Sequence, residues 1–152
     1  MRTRYFALVL GIIYLLVGVV GFVPAALSPM GAAPAEGSAL AVDAFSGRLL
    51  GLFPVNVLHS LVHLLIGIWG VVAYNNFDRA RVFARGLAVI YAVLAVMGLI
   101  PRLDTVFGLV PLYGHDVWLH ALTAIVAAYF GWGSVERTIE EHRTGTTPTS
   151  SV

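Results

Sequence analysis

Apolar positions along this chain fall into four long runs, roughly residues 5–26, 52–74, 84–101 and 116–135, with polar positions gathered between them. The runs are continuous and do not alternate, so the pattern predicts helices and argues against strands. Each approaches the length of about 20 apolar residues that a helix needs to cross a bilayer core. The first and third runs share a register: Gly11-Ile-Ile-Tyr14…Gly21-Phe-Val-Pro24 matches Ala88-Val-Ile-Tyr91…Gly98-Leu-Ile-Pro101. The next runs open alike, as Gly51-Leu-Phe-Pro54-Val55 and Gly108-Leu-Val-Pro111-Leu112. After a short gap, Asn56-Val-Leu58-His59 aligns with Asp116-Val-Trp-Leu119-His120. Such a period sets the architecture. It predicts an all-α, four-helix transmembrane bundle built from two tandem hairpin repeats, related by an axis along the membrane normal, with His59 and His120 as counterparts.

Composition agrees. Of 152 residues 59% are hydrophobic and 11% charged, where soluble domains carry about 25% charge. The pattern therefore predicts a multi-pass protein of the lipid bilayer. All nine basic residues are arginine, and they fix an orientation. Arg2, Arg4, Arg79, Arg81, Arg85, Arg137 and Arg143 fall on one side, Arg48 and Arg102 on the other. Positive charge stays cytoplasmic, which places both termini inside. A net charge of +1 gives no footprint for nucleic acid. With no cysteine, the chain offers no disulfide framework, thiolate ligand or thiol nucleophile.

The first run, preceded by Met-Arg-Thr-Arg and followed by Ala32-Ala-Pro-Ala35, has the outline of a secretory signal. It is longer than a signal core of about 7–15 residues, and its match to the third run makes it a structural partner, so an uncleaved span is expected. Residues 27–47, with Glu36 and Asp43, read as the long outer connection, and Asn75–Arg85 as a short basic inner loop. The tail from 136 to 152, including His142, is polar and is expected to be disordered at its end.

In lipid, small residues and interhelical hydrogen bonds hold helices together. Gly11, Tyr14, Gly18 and Gly21 form one stripe on the first helix. Asn56, His59, His63, Gly67 and Gly70 form one on the second, and Asp116, His120, Ala124, Ala127 and Gly131 one on the fourth. The third is less defined, through Gly86, Tyr91 and Gly98. These stripes predict the inward faces.

The stripes bring the candidate chemistry with them. Counted from Phe53, His59 lies about 9 Å along the axis and His63 about 15 Å, near the midplane. His59 and His63 are four apart on one face, and Asp116 and His120 repeat the spacing. Two such pairs supply nitrogen and oxygen donors for a divalent metal (zinc, copper or iron), with His59, His63, Asp116 and His120 as ligands. His59 and His120 on opposing helices could instead hold a haem axially. Asn56 and His115 are placed in the supporting layer, His115 at the interface. The competing reading is a membrane scaffold or accessory subunit, in contact with a membrane protein partner or a second copy, whose cluster only fixes helix pairing. A proton or solute path ranks last, because the inner halves of the runs carry almost no polar residues. His59-Ser-Leu-Val-His63 lacks the glutamate of a metalloprotease motif, and no phosphate loop, dinucleotide fingerprint or serine elbow is present. No catalytic residue is assigned, and the expectation is of a protein that is not an enzyme.

Gly51-Leu-Phe-Pro-Val-Asn-Val-Leu-His-Ser-Leu-Val-His-Leu-Leu-Ile-Gly67 and Phe107-Gly-Leu-Val-Pro-Leu-Tyr-Gly-His-Asp-Val-Trp-Leu-His120 resemble a bacterial family of small four-pass membrane proteins catalogued as a domain of unknown function. The resemblance runs from about Tyr5 to Gly133. It implies a four-helix membrane fold in a bacterial cytoplasmic membrane and no established activity. Members often carry Asn after the first histidine, where this chain has Ser60, which removes one amide from the cluster.

Overall fold

The computed structural model describes residues 2–31 and 39–133. Glu36, the Ala32–Ala35 stretch before it and the tail with His142 lie outside the described residues. The chain is mostly helical, in the order α1 (Arg2–Val20), a single 3₁₀ turn (Pro24–Ala26), β1 (Leu27–Ser28), β2 (Gly47–Leu49), β3 (Phe53–Val55), α2 (Val57–Ala73), α3 (Phe77–Met97) and α4 (His115–Trp132). Two of the four helices, α1 and α3, are long and apolar enough to cross a membrane, and α2 is a shorter apolar helix. Only 28% of the apolar window in α1 and 33% of that in α3 is buried, whereas the core helix of a soluble protein would be mostly covered.

Local chemistry sets the helix ends. Asn76 starts α3: its Oδ1 accepts from the backbone N–H of Asp78 at 2.8 Å and of Arg79 at 3.2 Å. This cap turns the basic stretch 77–85 into helix, where the hydropathy pattern expected an inner loop. Arginine is a good helix former, and only the turn around Asn75 remains unwound. The other helices are shorter than their apolar runs. α1 stops at Val20, four residues ahead of Pro24, and α2 begins at Val57, after Pro54 and the left-handed pair Leu50 and Gly51.

The expected absence of strands is corrected by a three-stranded antiparallel sheet, ordered β1-β2-β3, that pairs Leu27 with Leu49 and Gly47 with Val55. Strands of two or three residues are too short for alternation to show in the sequence.

The helices pair α1 with α2 and α3 with α4, and α1 also packs on α3. All four share one end. There Arg4 Nε donates to the Tyr74 carbonyl at 2.7 Å, joining the start of α1 to the end of α2. Arg81 and Arg85 both donate to the Gly131 carbonyl, at 3.1 and 2.8 Å, joining α3 to the end of α4. Thr3 Oγ1 donates to the Phe130 carbonyl at 3.5 Å and links α1 with α4. Cations at helix C-termini also meet the negative end of the helix dipole.

The small-residue stripes expected on α1, α2 and α4 are buried faces, whereas of the third stripe only Tyr91 is buried and Gly86 and Gly98 are half-buried. Thr3, Ala7, Gly11, Tyr14 and Gly18 are covered on α1, and Asp116, His120, Ala124, Ala127 and Gly131 on α4. The α1–α2 contact is backbone against backbone: a Cβ on Gly67 would stand 2.7 Å from the Leu15 nitrogen and 2.9 Å from the Gly11 carbonyl oxygen. On α3 the buried face is alanine-rich, with Phe83, Leu87 and Tyr91 filling the centre. Gly67→Leu is therefore expected to destabilise the fold by about 1–3 kcal/mol, since no flexible side chain can yield. Leu65→Ala, at a position 66% exposed, should stay within about 0.5 kcal/mol, and thermal denaturation of both variants checks the contrast.

Candidate functional site: a buried histidine and aspartate cluster

Asn56 precedes α2 in an extended conformation and is fully buried. Its Oδ1 accepts from the His59 N–H at 3.0 Å, which caps the helix. Its Nδ2 donates to the carbonyls of Val42 at 2.8 Å and Leu109 at 2.7 Å. One amide thus ties three chain segments together and holds the first turn of α2 in place. Its hydrogen-bonding groups go to backbone and reach no imidazole.

One turn on, His59 and His63 stack along α2 with ring centroids 4.5 Å apart. From α4, His120 stands 6.4 Å from His59, and the Asp116 Oδ2 lies 3.9 Å from the His59 Nδ1. All four side chains are buried. The structure therefore gathers the four residues expected as ligands. Two tyrosines complete the layer: Tyr14 stacks on His63 at 5.2 Å, Tyr91 meets His120 edge-on at 4.8 Å, and the two tyrosine rings are 5.8 Å apart. Sequence reasoning placed Tyr14 and Tyr91 on inward stripes and gave them no part in the site; their identical register in the first and third runs was the available signal. The pairing is not a simple exchange of counterparts, because Tyr14 meets His63 while Tyr91 meets His120.

His115 lies apart from the cluster, exposed at the start of α4 with its ring 6.4 Å from Phe53. Ser60 is buried with its Oγ directly over Gly21, just past the end of α1, where a larger amide would collide.

The cluster's polar atoms are not saturated. His59 Nδ1, His63 Nδ1, His120 Nδ1 and Asp116 Oδ2 are buried without a hydrogen-bond partner. Most buried polar atoms in folded proteins are bonded, so four orphans in one layer need an explanation. Among the described residues no three His, Asp or Glu side chains form a ready-made metal-holding group. Zinc–nitrogen bonds are about 2.0–2.1 Å, so side chains would have to rotate to close on an ion. The His63 ring packs against His59 and the Tyr91 ring against His120, at 4.5 and 4.8 Å between centroids.

Fold and site together define a mostly helical protein with a histidine and aspartate layer enclosed between apolar helices. The chain belongs to the family described as Domain of unknown function (DUF4383), whose profile matches residues 4–133. No curated protein and no solved structure matches the chain.

Loss of the amide should release both outer segments and the helix cap. Asn56→Ala is expected to cost about 2–4 kcal/mol, from one N-cap and two buried hydrogen bonds. Asn56→Asp, which keeps the cap acceptor but sets a carboxylate oxygen against the Val42 and Leu109 carbonyls, should cost at least as much; chemical denaturation of the three proteins compares them.

Proposed function

We propose that the chain is a four-span protein of a bacterial cytoplasmic membrane, built as two tandem hairpins with both termini inside. We further propose that it takes up a divalent metal ion through His59, His63, His120 and Asp116. The membrane reading is supported by the apolar, largely unburied faces of α1 and α3 and by the shared arginine-bearing end of all four helices. The observation that carries the site is the set of four buried donor atoms on facing helices that have no hydrogen-bond partner. Three imidazole nitrogens and a carboxylate oxygen are the donor types chosen by zinc, copper and iron. Ionisable side chains between apolar helices are expensive to keep and tend to be functional.

One observation favours a second reading, a scaffold or accessory subunit in which the layer only sets helix pairing. Tyr14 stacks on His63 and Tyr91 meets His120 edge-on, as packing residues would. Elemental analysis separates the two. Protein purified in mild detergent and reconstituted with zinc, copper or iron should hold near-stoichiometric metal, and the His59→Ala, His120→Ala double variant should hold none. No metal in either protein, with both equally stable, would sink the site and leave the scaffold.

The orientation has its own check. A fluorescent protein that matures only in the cytoplasm, fused after Val152, should fluoresce, and a dark fusion would reverse the topology.

A further inference from the structure

The two most exposed large apolar side chains among the described residues are Leu50, 77% exposed, and Phe107, 75% exposed. Each sits at a turn tip with left-handed backbone, followed by a left-handed glycine: φ is 54° at Leu50 and 73° at Gly51, 58° at Phe107 and 85° at Gly108. Such a turn favours Asn-Gly or Asp-Gly, and a bulky side chain there is strained. Water would also penalise the exposed Leu and Phe. Two unfavourable choices coincide at both tips, and an apolar surrounding removes one of them.

The neighbouring chain points the same way. Neither 49–58 nor 105–115 contains an Asp, Glu, Lys or Arg. The helices that follow are short for a bilayer core of about 30 Å: α2 has 17 residues and α4 has 18, about 26 and 27 Å of rise. Beside the tips, Val23, Leu99 and Ile100 at the ends of α1 and α3 are also exposed, which extends the apolar outer surface around both turns.

Non-helical backbone within a membrane is tolerated where its polar groups are bonded inside the protein. Around both tips the adjoining backbone is bonded in this way. Gly51 N–H donates to Arg48 at 3.2 Å and Leu52 N–H to Leu49 at 3.1 Å. Gly108 N–H donates to the Thr105 Oγ1 at 3.1 Å, while the Gly108 carbonyl accepts from Ala41 at 2.8 Å and the Leu109 carbonyl from Asn56. Behind the tips, Pro54-Val55 and Pro111-Leu112 are buried and plug the outer end of the helices.

We infer that Leu50-Gly51 and Phe107-Gly108 are a matched pair of lipid anchors that enter the hydrocarbon edge of the outer leaflet and complete the spans that α2 and α4 leave short. The inference rests on the membrane reading above. The bilayer's acyl region is the partner, since it alone needs neither charge nor hydrogen bonds from the tips.

The cysteine-free chain allows a direct test. Single Leu50→Cys and Phe107→Cys variants are spin-labelled in vesicles of phosphatidylethanolamine and phosphatidylglycerol. Collision rates are measured with oxygen and with a water-soluble nickel chelate. Leu65→Cys and Val93→Cys report the middle of α2 and α3, and Asn75→Cys reports the aqueous turn. The expected result is oxygen access with loss of nickel access at both tips, matching Leu65 and Val93 and opposite to Asn75. Nickel access at the tips, with Leu65 and Val93 still protected, would overturn the anchors and leave the membrane reading intact. Nickel access at Leu65 and Val93 as well would overturn the membrane reading itself. Protection of the tips from both reagents would mean that protein covers them and would overturn lipid as the occupant.

Discussion

Backbone groups that leave a helix among apolar neighbours must find partners, and Asn56 supplies them at the most crowded junction of this protein. Its single side chain caps α2 and holds the carbonyls of Val42 and Leu109. The segment before α2 and the one before α4 are thereby fixed to the same point. Without that point, His59 would lose its placement relative to Asp116 and His120, because the first turn of α2 would no longer be anchored to the outer segments. The order of the cluster is inherited from a residue outside it.

Two kinds of packing divide the interior. Along the α1–α2 seam the helices touch through glycine, from Gly11 against Gly67 and Gly70 to Gly18 against Leu64, too closely for side chains between them. In the middle of the bundle, imidazole and phenol rings from all four helices meet instead. Aromatic contacts hold these rings together, and the rings carry polar edges that an aliphatic core would lack. The unpartnered nitrogens of the histidines arise in this layer, where ring packing has priority over hydrogen bonding.

Much of the helical core was legible because a 3.6-residue repeat of Gly, Ala and polar residues marks a buried stripe whatever surrounds the helix. Gly11, Tyr14 and Gly18 on α1, and His120, Ala124 and Gly131 on α4, sit where that stripe put them. The gathering of His59, His63, Asp116 and His120 followed from the same periodicity. The start of α3 was missed because hydropathy registers apolar length, while the helix begins at the polar cap Asn76. The sheet was missed because strands of two or three residues leave no alternation to read, and β1 pairs with β2 across about twenty residues. Asn56 was assigned to the histidines on proximity alone; its partners at Val42 and Leu109 are long-range contacts that spacing cannot reveal.

At the opposite end of the molecule, Arg81 and Arg85 converge on the one carbonyl of Gly131 while Arg85 also lies over the Trp132 ring at 5.5 Å. A guanidinium presents donors in a rigid fork. Fastening α3 to α4 in this way leaves the clasp closed to lysine acetylation, since the chain has no lysine to modify. The four helices are thus buttoned to one another at this end by side chains on backbone carbonyls, while at the other end a single amide makes the corresponding joint.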